Sequence, residues 1–279
     1  MRIGSHVSTR DGYRGAAVQA AAIGGNAFQY FPKNPRSLHV KPFDRRDAAA
    51  CAEWCRENAV SSIAHGPYPV NPAAEGEAAE TMALSTLNDL DIANTCGSIG
   101  VVVHFGVYKG TDPLQGYRNI IQWLNAVTSA WTGDAKILLE NQAGDHGIFG
   151  TTPEELVQIR SLCAEPGKIG FCLDTCHLFA SGEWKPGKWE AFAERARSLG
   201  YWDALEAVHL NDSKYESGSR RDRHAVLGKG FIGEDGFREM LSTPEIRRVP
   251  LLLETPEETG GTHREQLALA KRWNGEEPT

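Results

Sequence analysis

Six short apolar runs in this chain each stop on a side chain that can bind metal. Residues 61–64 run into His65, 101–103 into His104, 137–139 into Glu140, 170–173 into Asp174, 205–208 into His209 and 249–253 into Glu254. An ionisable group at the end of a buried segment is costly unless it meets water, a partner or an ion. Any one of them alone is explained by loop polarity or, for Asp174, by helix capping. Six in one chain, all His, Asp or Glu, argue for a cluster. Three further candidates join them: His177, three residues past Asp174, and the pair Asp222 and His224. D-x-H spacing puts both side chains on one side of an extended segment.

The set is then five His and four carboxylates. Nitrogen and carboxylate ligands without thiolate fit zinc, with manganese or iron as alternatives. Nine ligands exceed one tetrahedral ion and suit two or three ions sharing a bridging carboxylate. Ions about 3.5–4 Å apart activate a hydroxide and stabilise a leaving oxygen in phosphoryl transfer. Around Asp222 lie Lys214, Arg220, Arg221, Arg223 and Lys229, interspersed with Gly218, Gly228 and Gly230. Such a run suits phosphate contact; without the cluster beside it, it would read as a solvated charged loop.

These side chains need a frame. Strand-like segments at 2–6, 27–30, 61–64, 101–103, 137–139, 170–173, 205–208 and 249–253 alternate with helix-like ones. The helices are expected at 15–23, 44–58, 75–96, 114–131, 153–163, 189–199, 235–241 and 264–273, with Asp44 and Thr152 as caps and Pro153 at a first helical position. A long polar loop covers 211–230. No linker, repeat or low-complexity stretch interrupts the alternation, so residues 1–279 are expected to form one α/β domain, a single (β/α)8 TIM barrel. All six strand ends would then gather at its C-terminal face, where the loops build active sites.

Composition narrows the class. The chain of 279 residues is 41% hydrophobic and 23% charged, as expected of a globular protein with a sizeable core. Its six cysteines show no C-x-x-C pair and no disulfide framework, which favours a reducing cytoplasm. No segment reads as a membrane span or signal peptide. The net charge of −7 argues against a broad nucleic-acid-binding surface, although bound cations would offset buried carboxylates.

GSHVS, FPKNPR, HGPY, LENQAG, DTCHLFASG, HLNDSK, GSRRDRH and LLLETP, in this order from Arg2 to Pro256, resemble the endonuclease IV family of apurinic/apyrimidinic endonucleases. The resemblance implies a TIM barrel with three zinc ions, and each family ligand has a matching residue here. His65, His104 and Glu140 would hold the first ion. Glu140 would bridge to the second, held also by Asp174, His209 and Glu254. His177, Asp222 and His224 would hold the third. It implies cleavage of double-stranded DNA 5′ to abasic sites, leaving a 3′-hydroxyl and a 5′-deoxyribose phosphate, and removal of 3′ blocking groups. Attack would be in line, by a hydroxide that Glu140 helps to hold. Arg36 and Tyr68 match the residues that enter DNA at the lesion, and Arg220, Arg221 and Arg223 would contact DNA. A monomer in a bacterial-type cytoplasm, associated with the nucleoid, is expected.

Departures from the family pattern fall in the loops. Phe105 stands in a usual H-P-G, Pro69 replaces a larger aliphatic residue, and Asp145-His146 charge a loop that is ordinarily less charged. His6, His39, His146 and His263 match no ligand position. His39 and His263 are expected on the surface, and His6, at a strand end, to support the ligands. The competing readings are a metal-dependent sugar isomerase or epimerase on the same barrel, and a non-catalytic zinc protein that binds DNA or a partner. The first needs fewer ligands and leaves the D-R-H loop unexplained. The second needs closed four-ligand sites.

Overall fold

The computed structural model describes residues 1–147, 149–257 and 262–276. Seven strands come first: β1 (Ile3–His6), β2 (Ala27–Tyr30), β3 (Ser61–His65), β4 (Gly100–His104), β5 (Lys136–Glu140), β6 (Ile169–Asp174) and β7 (Leu205–His209). A two-stranded antiparallel hairpin, β8 (Asp212–Ser213) with β9 (His224–Ala225), follows, and β10 (Leu251–Leu253) closes the sheet between β7 and β1. Every pairing around the barrel is parallel.

The outer layer holds α1 (Gly12–Ala22), α2 (Arg45–Glu57), α3 (Gly76–Thr95), α4 (Pro113–Ala130), α5 (Pro153–Leu162), α7 (Trp189–Ser198), α8 (Gly233–Leu241) and α9 (Arg264–Trp273), with a short α6 (Thr175–Ser181) at the end of β6. The local chemistry explains where helices begin. Asp44 accepts the backbone N–H groups of Arg46 and Asp47, and Thr152 and Glu155 form a reciprocal capping box ahead of Pro153.

The expected eight helices become nine among the described residues. The extra one is α6: capped by Asp174 and ended by Gly182 at φ 89°, it is too short for its periodicity to register in the sequence. The loop expected at 211–230 contains the β8–β9 hairpin. No helix among the described residues is long and apolar enough to cross a membrane.

The barrel interior carries one apolar layer: Ala27, Ile63, Val102, Leu138, Cys172, Ala207 and Leu252. Gly4 supplies the eighth position, in register with Ala27 and Leu252. A Cβ there would lie 1.5 Å from the Ala27 carbonyl oxygen, so only glycine fits. Side chains alternate along a strand. Two residues beyond this layer the interior positions are therefore His6, Gln29, His65, His104, Glu140, Asp174, His209 and Glu254. An apolar layer thus supports a polar ring at the C-terminal mouth.

The loop after β2 is tied down by a buried ion pair. Lys33 Nζ lies 2.8 Å from Asp89 Oδ1 of α3 and donates to the Ser85 carbonyl at 2.7 Å, with side-chain exposures of 2% and 0% for the two charged residues. Further along, the Tyr68 N–H donates to Pro35 O at 2.9 Å, so the Arg36 and Tyr68 loops are hydrogen-bonded to each other.

Candidate metal centre

All nine predicted ligands converge at the mouth. His65, His104 and Glu140 offer donor atoms within 4.8 Å of one another; so do Glu140, Asp174, His209 and Glu254; and so do Asp174, His177 and His224. Asp222 completes the last group, with one carboxylate oxygen 3.2 Å from His177 Nε2 and the other 3.2 Å from His224 Nε2. Glu140 stands between the first two groups. Its Oε2 faces His104 Nε2 at 3.0 Å and His65 Nε2 at 3.7 Å, while its Oε1 faces His209 Nδ1 at 2.9 Å.

Hydrogen bonds at the far ring atoms aim the imidazoles. His65 Nδ1 bonds Gly66 O at 2.7 Å, and His177 Nδ1 bonds Asn141 O at 2.8 Å. A carbonyl only accepts, so both rings carry hydrogen on Nδ1 and turn Nε2 to the centre. Asp174 serves twice. Oδ1 accepts the His177 N–H at 2.7 Å as the cap of α6, and Oδ2 receives Asn211 Nδ2 at 2.7 Å. Capping and ligation were rival readings of Asp174; the structure supports the cap and leaves Oδ2 turned toward His209 and His224.

The donor set fits metal ions. Glu140 Oε2 and His224 Nε2 are buried yet make no hydrogen bond. Buried polar atoms are ordinarily satisfied, and an ion held by these converging groups would satisfy both. The charge balance agrees. Burial works against an ionised Glu140, but His209 and His104 outweigh it and hold the carboxyl well below the usual range. Burial likewise opposes a charged Glu254, yet His209 brings it down to about 2. His224 is lowered by burial but raised further by Asp222 and Asp174, to about 9. Without cations the neighbouring carboxylates favour a proton on His104, His177, His209 and His224, and binding a cation would release it.

The mouth opens into a cavity of about 340 Å³ lined by Tyr68, Asn71, His104, Gln142, His177 and Asp222. Tyr68 stands at its rim, 64% exposed, edge-on to Phe31 at 5.4 Å, and Phe31 in turn meets His65 at 5.4 Å. Arg36, Arg220, Arg221 and Arg223 are exposed. The loop bearing the last three docks on α6, where Gly218 N and Arg220 N donate to Phe179 O and Ala180 O. Arg221 lies over the Tyr215 ring at 4.8 Å. Asp212, fully buried, organises this loop by accepting N–H bonds from Ser213, Gly228, Gly230 and Ile232 at 2.8–3.0 Å.

The other histidines divide. His39 and His146 are exposed, the latter with Asp145 at the cavity edge. His263, expected on the surface, is buried at 6% exposure, with Nε2 bonded to Thr255 O at 2.8 Å. It occupies the N-cap position of α9 without a side-chain cap bond, its ring tied instead to the segment after β10, a placement that its polar sequence neighbours conceal. Three residues escaped sequence reasoning: Gln29, Asn141 and Asn211. Asn141 and Asn211 each follow close on a ligand and had no signal of their own. Gln29 had one. It lies two residues past Ala27, as His65 lies two past Ile63, but Tyr30 follows it and hides it from a search of strand ends.

Comparison with known proteins agrees with this geometry. A family model described as a xylose isomerase-like TIM barrel matches residues 17–273. The probable endonuclease 4 of Symbiobacterium thermophilum is 40% identical over 272 residues, covering 97% of this chain and 99% of that protein. The crystal structure of endonuclease IV from Thermus thermophilus superposes with a TM-score of 0.84 at 30% identity, covering 98% of each chain. A D-tagatose 3-epimerase-like protein shares the fold at a TM-score of 0.70 but only 19% identity. With the barrel, the convergent His and carboxylate ring and these relatives taken together, the chain belongs to the endonuclease IV family of apurinic/apyrimidinic endonucleases.

Proposed function

We propose that the chain binds three zinc ions and hydrolyses the phosphodiester 5′ to abasic sites in double-stranded DNA, leaving a 3′-hydroxyl and a 5′-deoxyribose phosphate, and that it clears blocked 3′ ends. The observation that carries this reading is Glu140, whose two oxygens are divided between two ligand groups. A shared carboxylate leaves coordination positions open, whereas a purely structural site closes them. A sugar isomerase would use fewer ligands and would have no need of Asp222 and His224 at the mouth. When bound, the ions supply an activated water and a clamp for the leaving oxygen. Glu140 would be shared by the first two ions, His177, Asp222 and His224 would hold the third, and His177 and Asp222 line the cavity where a phosphate would lie. Arg220, Arg221 and Arg223 contact flanking phosphates, which position the duplex without reading sequence. The chain is read as a monomer acting on nucleoid DNA, and its bacterial relatives support a place in the cytoplasm.

The test joins elemental analysis to incision of an abasic duplex. About three zinc ions per chain and loss of incision on chelation are expected, with recovery when zinc returns. Fully active protein carrying a single ion per chain would rule out the trinuclear reading, and sugar isomerisation without incision would overturn the function.

Tyr68 supplies a second expectation. An abasic nucleotide has no base to stack, so moving it out of the helix costs less than flipping an intact one. An aromatic ring entering the gap restores stacking, worth about 1–3 kcal/mol per base. Pro69 is smaller than the usual aliphatic wedge but stiffens the loop that holds Tyr68. Tyr68→Ala is therefore expected to weaken binding to an abasic duplex by about 1–3 kcal/mol, with little change for undamaged duplex and none in metal content. Fluorescence titration checks it; equal weakening toward both duplexes would reduce Tyr68 to a rim residue and move the wedge to Arg36.

A further inference from the structure

We infer that Gln29 is a positioning residue for the metal centre: its side-chain amide dictates which nitrogen of His209 is offered to the second ion. The inference rests on the proposed metal site. Gln29 is fully buried at the interior face of β2, where seven of the eight ring positions carry ionisable groups and it alone carries a neutral amide. Its amide makes three contacts. Nε2 lies 2.6 Å from Glu254 Oε1 and 3.1 Å from His6 Nδ1, and Oε1 lies 2.7 Å from His209 Nε2.

These contacts permit one arrangement. An ionised carboxylate only accepts, so the amide nitrogen must face Glu254 and the amide oxygen must face His209. The oxygen also only accepts, so His209 must carry hydrogen on Nε2. Nδ1 then faces Glu140 Oε1, 2.9 Å away, and Glu254 Oε2, 3.3 Å away, and is the nitrogen left to an ion once the proton it shares with these carboxylates is displaced. The second amide N–H goes to His6 Nδ1, which fixes His6 with hydrogen on Nε2. His209 thus binds through Nδ1, while His65 and His177, held by carbonyls at Nδ1, bind through Nε2. The same amide holds Glu254 Oε1 aside, while Oε2 accepts Asn211 Nδ2 at 3.1 Å and turns toward His209. One neutral side chain sets a tautomer, orients a carboxylate and adds no charge of its own.

The test compares native protein with Gln29→Met, which keeps the volume and removes the amide. Zinc affinity is measured by competition with a chromophoric chelator, and the protonation of His209 is read from two-bond ¹H–¹⁵N correlation spectra of the zinc-loaded protein. In Gln29→Met one ion per chain should be held about 10–100-fold more weakly, the usual effect of losing a ligand's supporting hydrogen bond, with the other ions unaffected. In the native protein His209 should show hydrogen on Nε2 and none on Nδ1. Unchanged affinity in Gln29→Met, or hydrogen on Nδ1 of His209 in the native protein, would overturn the inference. The native spectrum decides even if the variant does not fold. Native protein that binds no zinc would overturn the proposed function itself, a separate result from equal binding by the two proteins.

Discussion

Glu140→Gln is expected to fold as the native protein does and to lose at least about 10²-fold in turnover on abasic DNA, the scale of one electrostatic or acid–base contribution. The substitution keeps the shape and removes one negative charge from the point where two ligand groups meet. Glu140 is 2% exposed, with His104 at 3.0 Å on one oxygen and His209 at 2.9 Å on the other. An amide nitrogen would occupy one of those positions and present hydrogens where an ion needs a lone pair. The fold should survive, because Glu140 stands on the rigid strand β5, above Leu138 in the interior layer. Circular dichroism establishes the fold, elemental analysis the metal content and single-turnover incision the rate. Near-normal incision by a metal-replete Glu140→Gln protein would show that the bridge is wrongly assigned.

Lys33→Met is expected to destabilise the protein by about 3–5 kcal/mol at neutral pH, the cost of leaving a buried charge without its partner. Asp89 is 0% exposed, and burial already pushes its carboxyl up to about 6 in spite of Lys33. Removing the ammonium raises it further. A carboxyl whose folded pKa exceeds its unfolded value of about 3.9 holds a proton in the folded state that the unfolded chain releases. Stability is then lost as pH rises from the unfolded pKa through the folded one. The deficit of Lys33→Met relative to native protein should therefore shrink at acid pH and grow toward neutrality. Urea unfolding at several pH values measures it, and a deficit independent of pH would contradict the uncompensated-charge account. The double variant Lys33→Met/Asp89→Leu should recover most of the loss, since an apolar pair of similar volume carries no desolvation cost. Because the pair anchors the loop bearing Arg36, the single variant should also bind abasic DNA more weakly than its metal content explains.

The barrel and the ligand ring were legible because two periodicities coincide in the sequence. Buried parallel strands read as apolar runs, and the residue that ends each run faces the interior at the C-terminal mouth in six cases. His65, His104, Glu140, Asp174, His209 and Glu254 could thus be named without a structure. His177 could be named but not its helix, since α6 is seven residues long and owes its existence to the Asp174 cap and to packing. Neighbouring residues also outvoted the right answer at Gln29, where Tyr30 extends the strand by one and masks the alternation, and at His263, which is buried among polar neighbours.

Fold class, donor types and family are legible in the chain alone, because these follow from residue identity and from order along it. How the donors are shared depends on contacts across the barrel. That Glu140 divides its oxygens, that Asp174 both caps a helix and faces His209 and His224, and that Asp222 faces two imidazoles at once are facts about directions in space. Residues 140, 174 and 209 are tens of positions apart, and barrel closure brings them within a few ångströms. Hydrogen-bond direction is likewise set by neighbours across the barrel, as Gln29 does for His209. Such directions are fixed by which strands lie side by side, and a linear pattern carries no record of that.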